Sequence, residues 1–140
     1  MRQYLLDTNI LGAYIQGRPG VLSLAQEWVY NDEATTSLIV YGEIVEYLKS
    51  FPNYARREKD LRVLLRKVYP YELNYALLER YADLRRAMRP PYGPGLIGDI
   101  DTLVAVTALQ YKLTLVTTDS DFKRVPNLSL MLLPIQVLKR

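Results

Sequence analysis

The sequence contains no histidine and no cysteine. Without cysteine, it has no disulfide, no thiolate nucleophile and no Cys-ligated zinc site. Without histidine, it lacks the commonest general base near neutral pH, so Ser-His-Asp and paired-His mechanisms are excluded. Carboxylates are left as the main catalytic candidates, and clustered carboxylate oxygens select hard cations such as Mg²⁺ or Mn²⁺. These absences indicate metal-assisted chemistry on phosphate.

The sequence also has no apolar stretch long enough to span a bilayer, and no charged segment followed by an apolar one at its start. We therefore expect a soluble, cytoplasmic protein without membrane association. Its 140 residues, 49% of them hydrophobic, match one globular domain of common size with a real core. We expect a single domain over residues 1–140.

The formal net charge of +3 is modest, but the basic residues are unevenly distributed. Residues 55–67 (ARREKDLRVLLRK) carry six basic residues against two acids, and further arginines follow within 80–89. A basic helical surface beside an acidic pocket would suit an enzyme that acts on nucleic acid. A solvated helix face, partly neutralised by Glu58 and Asp60, explains any one of these residues equally well.

Apolar runs alternate with segments of helical periodicity along the whole chain. The pattern predicts strands at 3–6, 34–38, 113–117 and 128–133, with a short additional strand within 68–73. It predicts helices at 8–16, 20–30, 39–51, 54–67, 74–89 and 99–113, and a short helix at 121–125. This alternation is typical of an α/β fold with a parallel sheet covered on both faces.

Four acidic residues follow apolar runs or lie in the first turns of predicted helices: Asp7, Glu43, Asp101 and Asp119. Asp7 ends the first predicted strand in YLLDTNIL, where it can also cap the following helix. Glu43 lies in a largely apolar helix, where an unpaired carboxylate would be costly. Because the carboxyl ends of parallel strands form the ligand crevice, these distant acids can converge in space.

Two of the four acids have a nearby competitor. In GDIDTL, we expect Asp99 to cap the helix and Asp101 to point out beside it. In VTTDSDF, Asp119 comes directly off the strand, and we favour it over Asp121. Converging carboxylates raise one another's pKa unless a cation neutralises them, and a divalent ion would also activate water for phosphodiester hydrolysis. Both one-ion and two-ion sites fit this pattern.

Together, the segments LLDTNIL, SLIVYGEIVEYL, IGDIDTLVAVTAL and LTLVTTDSDF resemble the PIN-domain ribonucleases, specifically the VapC-type toxins of type II toxin-antitoxin systems. The resemblance covers nearly the whole chain. It implies a PIN-like α/β/α sandwich with a central parallel sheet. It also implies Mg²⁺- or Mn²⁺-dependent endonucleolytic cleavage of an RNA substrate, a cognate VapB-like antitoxin, and a homodimer.

The same resemblance assigns a role to each acid. The family's four catalytic acids match Asp7, Glu43, Asp101 and Asp119. Asp7 and Asp101 are implied as the core metal ligands with Asp119 assisting, while Glu43 would position a water or a second cation. Asn9 and Thr117 match recurrent supporting positions, and residues 54–89 match the projection that holds the antitoxin. The one departure, VAV after the third acid where relatives more often have IAA, affects packing and not chemistry.

Three other interpretations fit parts of the pattern. A phosphatase of the haloacid dehalogenase type is disfavoured, because Thr102 directly follows Asp101 and a Gly/Pro-rich loop precedes the pair. A PIN nuclease that processes RNA without an antitoxin retains the same acids. A non-catalytic RNA-binding or protein-binding module would retain the fold without the activity.

Overall fold

A computed structural model describes residues 1–139 and is built around a five-stranded sheet with the order β3-β2-β1-β4-β5. The strands are β1 (Tyr4–Leu6), β2 (Ala34–Ser37), β3 (Pro70–Tyr71), β4 (Thr114–Thr117) and β5 (Leu130–Leu132). Every neighbouring pair in this sheet is parallel. The predicted central parallel sheet is therefore confirmed.

Helices connect the strands and complete the predicted α/β/α sandwich. They are α1 (Thr8–Ile15), α2 (Pro19–Tyr30), α3 (Leu38–Leu48), α4 (Tyr54–Leu64), α5 (Tyr75–Met88) and α6 (Asp99–Gln110). Two short 3₁₀ helices follow, at Ser120–Arg124 and Ile135–Leu138. Within residues 1–139, none of the helices combines the length and the apolar character needed to cross a bilayer.

The inner strands are buried although one of them is largely polar. All four residues of β2, with the sequence ATTS, are buried. The hydroxyl of Thr36 donates to the carbonyl of Leu6 at 2.8 Å, and that of Thr35 donates to the carbonyl of Tyr69 at 2.5 Å. These bonds satisfy groups that would otherwise be costly to bury, so a threonine-rich segment is stable inside the sheet.

Several helix boundaries differ from the sequence-based expectation. The helix predicted over 39–51 ends at Leu48, because a turn intervenes before Pro52. The helix predicted over 99–113 ends at Gln110, where Lys112 takes a positive φ of 55° and Leu113 N donates to Ala108 O. This reversal directs the chain into β4. The short helix expected at 121–125 is a 3₁₀ helix that begins one residue earlier.

The strand order places a topological switch point beside the central strand. From β1 the chain proceeds to β2 and β3 on one side, and later returns to β4 and β5 on the other. In sheets of this kind the crevice lies at the carboxyl ends of the strands that flank the switch. Asp7 directly follows β1 and Asp119 lies two residues beyond β4, so both acids reach this edge.

Phe122 anchors the 3₁₀ helix that follows Asp119, and it is fully buried. We predict that Phe122→Ala lowers the free energy of unfolding by about 3–5 kcal/mol, because it removes a large apolar side chain and leaves a cavity. Urea denaturation measures this loss. The adjacent exposed residue is the matched control, and Lys123→Ala should change stability by less than about 0.5 kcal/mol. Equal effects of the two substitutions would contradict this role for Phe122.

Candidate active site

Asp7 is the most deeply placed of the four acids, with 6% of its surface exposed. Its Oδ1 accepts a hydrogen bond from the backbone N–H of Thr8 at 2.9 Å, which caps α1 as expected. Its Oδ2 accepts from the hydroxyl of Thr117 at 2.7 Å. Burial raises the pKa of Asp7, the two hydrogen bonds oppose that rise, and the charges of Glu43 and Asp119 add to it. Hydrogen bonds therefore fix the position of the Asp7 carboxylate, while burial and neighbouring negative charges disfavour its ionised form.

Glu43 reaches the same edge from α3 and is partly buried. Its Oε1 accepts a hydrogen bond from the hydroxyl of Thr8 at 2.5 Å. This bond explains how a carboxylate is accommodated in a largely apolar helix, since Thr8 supplies a donor across 35 positions of sequence. Because Thr8 also follows Asp7 directly, the bond ties the second acid to the first.

Thr117 links the acids that follow β1 and β4. It is fully buried, donates to Asp7, and accepts from the backbone N–H of Asp119 at 3.1 Å. Asp119 in turn accepts from the backbone N–H of Asp121 at 2.9 Å, which caps the 3₁₀ helix. A single hydroxyl therefore sets the relative position of two acid-bearing segments.

Asp101 lies in the first turn of α6 and is half-buried. Its pKa is raised from 3.8 to about 6, chiefly by burial and then by repulsion from Asp7, Asp119, Glu43 and Asp121, in that order. The three other candidate acids therefore all act on this one carboxyl. Asp119 affects it more than Asp121 does, and Asp121 is exposed to solvent. The geometry favours Asp119 as the fourth member of the group.

The expectation that Asp99 caps α6 is wrong. The capping position is Gly98, and Asp99 is the first residue of the helix. The Asp99 carboxylate is exposed and accepts from Arg85 at 2.6 Å and from the hydroxyl of Tyr81 at 3.2 Å. It therefore joins α6 to α5 instead of satisfying the end of its own helix.

The acids face one another without forming a closed cage. Among residues 1–139, no three acidic side chains stand close enough together to hold one ion as they are placed. Mutual repulsion between carboxylates favours such an open arrangement. Asn9 lies beside them and donates from Nδ2 to the hydroxyl of Thr118 at 2.7 Å, while its Oδ1 is buried without a partner. The edge therefore offers a set of hard oxygen donors.

Several of the basic residues noted in the sequence pair with acids or aromatic rings. Arg62 forms a salt bridge with Glu58 at 3.0 Å, and Lys67 forms one with Asp32 at 2.8 Å. Arg57 lies over the ring of Phe51, 4.1 Å from its centroid. The prediction of a partly paired, solvated helix face therefore holds for part of this region.

Sequence reasoning misses two threonines of the site as functional positions. Thr8 is identified only as a helix-start residue, yet its hydroxyl fixes Glu43. Thr118 accepts from Asn9 and so joins the turn after β1 to the turn after β4. The available signal is adjacency, because Thr8 follows Asp7 and Thr118 precedes Asp119. Their partners are distant in sequence, and no local pattern identifies them.

The raised pKa of Asp101 predicts a specific pH dependence of stability in metal-free protein. The Asp101 carboxyl binds its proton more tightly in the folded state than in the unfolded state. The free energy of unfolding therefore falls as pH rises from 3.8 towards about 6. Asp101→Asn removes that contribution. We expect the variant to gain stability relative to the wild type between pH of about 4 and about 7, measured by urea denaturation with a chelator. The exposed, distant Asp60→Asn is the control, and parallel pH profiles for Asp101→Asn and wild type would contradict the assignment.

The chain is similar in fold to three solved toxin-antitoxin structures. VapBC2 from Rickettsia felis, bound to a promoter DNA fragment, matches with a TM-score of 0.79 and 25% identity over 93% of this chain and 98% of that one. DNA-bound VapBC from Salmonella typhimurium matches with a TM-score of 0.80 and 17% identity over 94% of this chain and 98% of that one. A toxin-antitoxin complex from Klebsiella pneumoniae matches with a TM-score of 0.71 and 23% identity over 92% of this chain and 96% of that one.

No curated protein matches the sequence significantly. A family model, by contrast, matches nearly the whole chain: the model of the PIN domain aligns with residues 4–128. That span runs from β1 to the segment before β5 and includes all four acids. The chain therefore belongs to the PIN-domain family.

Proposed function

We propose that this protein is a divalent-metal-dependent endoribonuclease and the toxin of a type II toxin-antitoxin system. The observation that carries the proposal is the convergence of four acids from separate segments on one edge of the sheet, where Thr117 joins Asp7 to the backbone of Asp119 and Thr8 joins Glu43 to the turn after β1. A cluster of acids at one edge of a sheet, kept there at the expense of stability, is typical of a functional site. Membership of the PIN family supports a hydrolase that acts on nucleic acid.

The residues present fit a hard divalent cation such as Mg²⁺ or Mn²⁺. The donors are carboxylate oxygens with the unpaired amide oxygen of Asn9 beside them, and sites built from oxygen donors suit these ions. In this proposal Asp7 and Asp101 hold the metal, Asp119 assists, and the acids move closer together than they stand here. Such an ion supplies charge neutralisation at the scissile phosphate and a water of lowered pKa.

The chain's own residues position these groups. Thr117 and the N–H of Thr8 hold both oxygens of Asp7, so this carboxylate has one orientation. Thr8 occupies Oε1 of Glu43, which leaves Oε2 to orient an attacking water. In hydrolysis the water oxygen bonds to phosphorus, the bond from phosphorus to the leaving sugar oxygen breaks, and the proton passes from the water side to the leaving side. Preset carboxylates reduce the reorganisation that this step requires.

The assignment as a toxin draws on the solved relatives, which are VapBC and toxin-antitoxin complexes. A groove of about 490 Å³ is consistent with such a partner in this chain. It lies between α3, α4 and β3, and its lining includes the apolar Leu38, Tyr41 and Leu65 and the charged Arg62, Arg66 and Glu72. An amphipathic antitoxin segment with acidic residues would complement it. We also propose a homodimer, as the resemblance implies.

The first test of this function removes the acids one at a time. We predict that Asp7→Asn and Asp101→Asn each reduce Mg²⁺-dependent cleavage of RNA by more than about 100-fold, beyond the usual effect of outer-shell partners. The measurement is mapping of RNA ends, first after incubation of RNA with the purified protein. It is then repeated on cells that express the protein with and without its proposed antitoxin. Asp83→Asn, an exposed acid on α5, is the matched control. Full cleavage by both folded site variants would disprove the mechanism.

A second test concerns Thr117 as a positioning residue. Thr117→Val keeps the shape but removes the hydroxyl, leaving Asp7 without one donor and the N–H of Asp119 without its acceptor. We predict a loss of cleavage of about 10–100-fold, with a weakened response of thermal stability to Mg²⁺. Thr117→Ser, which retains the hydroxyl, should restore both. If the valine and serine variants behave alike, the hydroxyl does not position the site.

A further inference from the structure

Next to the acids lies a cavity that the proposed hydrolysis does not use. Its volume is about 320 Å³, at the lower end of the range for small-molecule sites, and it opens between α1, α3 and the last 3₁₀ helix. Thr8 and Asn9 form the end of the cavity nearest the acids. Since Thr8 donates to Glu43, this cavity and the candidate active site share a wall.

The walls of the cavity combine apolar surface with hydrogen-bonding groups at the edge. Gly12, Ile44 and Leu138 supply apolar surface, and Gly12 leaves the wall without a side chain. At the rim, Gln16 donates from Nε2 to the hydroxyl of Tyr47 at 2.9 Å. Mostly apolar space with amide and hydroxyl groups at its border suits a heteroaromatic ring with polar edges.

The surface that continues from the cavity is aromatic and cationic. The ring of Tyr47, which is 47% exposed, packs edge-on against Phe51 with centroids 5.1 Å apart. Arg57 lies over the other ring of this pair. Arg18 donates to Oε1 of Gln16 at 3.1 Å, the same side chain that donates to Tyr47. A pair of aromatic rings with arginines close by is typical of surfaces that bind single-stranded nucleic acid.

From this geometry we propose that the cavity holds the base of a nucleotide next to the scissile phosphate, in single-stranded RNA. The base lies between Gly12 and Tyr47 with its polar edge at Gln16, and the following part of the strand passes over Phe51 towards Arg57. The cavity thus contributes to the choice of cleavage site. This inference rests on the proposed ribonuclease function and adds a base-recognition subsite to it.

Gly12 provides a selective way to fill the cavity. A methyl group on Gly12 would lie 3.7 Å from Cδ1 of Ile44, which is an ordinary contact, so Gly12→Ala fits the fold. Gly12 lies within α1, where alanine is the better helix former. Gly12→Leu extends further into the same space. Gly42 on α3 is the matched control, because among residues 1–139 no atom beyond its own stretch of helix lies within 4 Å of a methyl group added there.

The test uses synthetic single-stranded RNAs that contain the cleavage site mapped for the wild-type protein. In each copy, one base near the cut is replaced by an abasic residue. We expect one such replacement to slow wild-type cleavage about 10-fold or more, the scale of a lost stacking contact. Gly12→Leu should cleave the intact RNA about as slowly as the wild-type protein cleaves the RNA with that abasic residue. The same abasic residue should then cause no further slowing in Gly12→Leu. Gly12→Ala and Tyr47→Ala should show the same change in smaller measure, while Gly42→Leu retains the wild-type profile.

The outcomes separate this inference from the function on which it rests. Thermal denaturation establishes that each variant is folded, and Gly12→Ala carries the test if the leucine variant is not. Cleavage by folded Gly12 variants with the wild-type rate and abasic profile would overturn the base subsite and leave the nuclease intact. The base subsite is equally overturned if those variants lose binding to a partner protein and not to RNA. Absence of RNA cleavage by the wild-type protein would overturn the proposed function itself.

Discussion

The rest of this structure depends on one constraint, the mutual repulsion of carboxylates at one edge of a parallel sheet. Asp7, Asp119, Glu43 and Asp101 come from four separate segments, and each contributes charge to a partly buried region. Left alone, such groups would separate into solvent or take up protons. The fold keeps them facing one another, and burial together with this repulsion raises the pKa of Asp101.

Buried strands and two threonine hydroxyls resist this repulsion. β1 and β4 are neighbours in the centre of the sheet, so the turns that follow them start from a rigid base. Thr117 then joins Asp7 to the backbone of Asp119, and Thr8 joins Glu43 to the turn after β1. The bonds from both hydroxyls run to charged acceptors, which makes them stronger than hydrogen bonds between neutral groups. The turn after β1 also forms one wall of the cavity between α1 and α3, so the proposed active site and the proposed base subsite share a support.

Local patterns in the sequence are sufficient for the sheet, the helix order and the positions of the four acids. Each strand-to-helix turn has its own signature, as in LLDTN, and the alternation of elements dictates a parallel sheet. Predictions fail where the answer depends on a distant partner. Asp99 does not cap α6, because Arg85 and Tyr81 of α5 hold it instead. The Thr8–Glu43 bond spans 35 residues, and the end of α3 at Leu48 depends on a turn that Pro52 does not set. Tertiary contacts decide the first two, whereas local bonds from Ser50 N to Tyr47 O and from Phe51 N to Leu48 O form the turn that ends α3.

The most direct test of the account is the pKa of Asp101 itself, followed by carbon NMR of its carboxyl group in a pH titration. Burial and the repulsion from the neighbouring acids together predict a value of about 6 in metal-free protein. The repulsion also predicts a fall in that pKa when Asp7→Asn removes the charge that contributes most to the repulsion, and a further fall when Mg²⁺ is added to the wild type. A carboxyl group that titrates near 3.8 in metal-free protein, unaffected by Asp7 or by Mg²⁺, would contradict it.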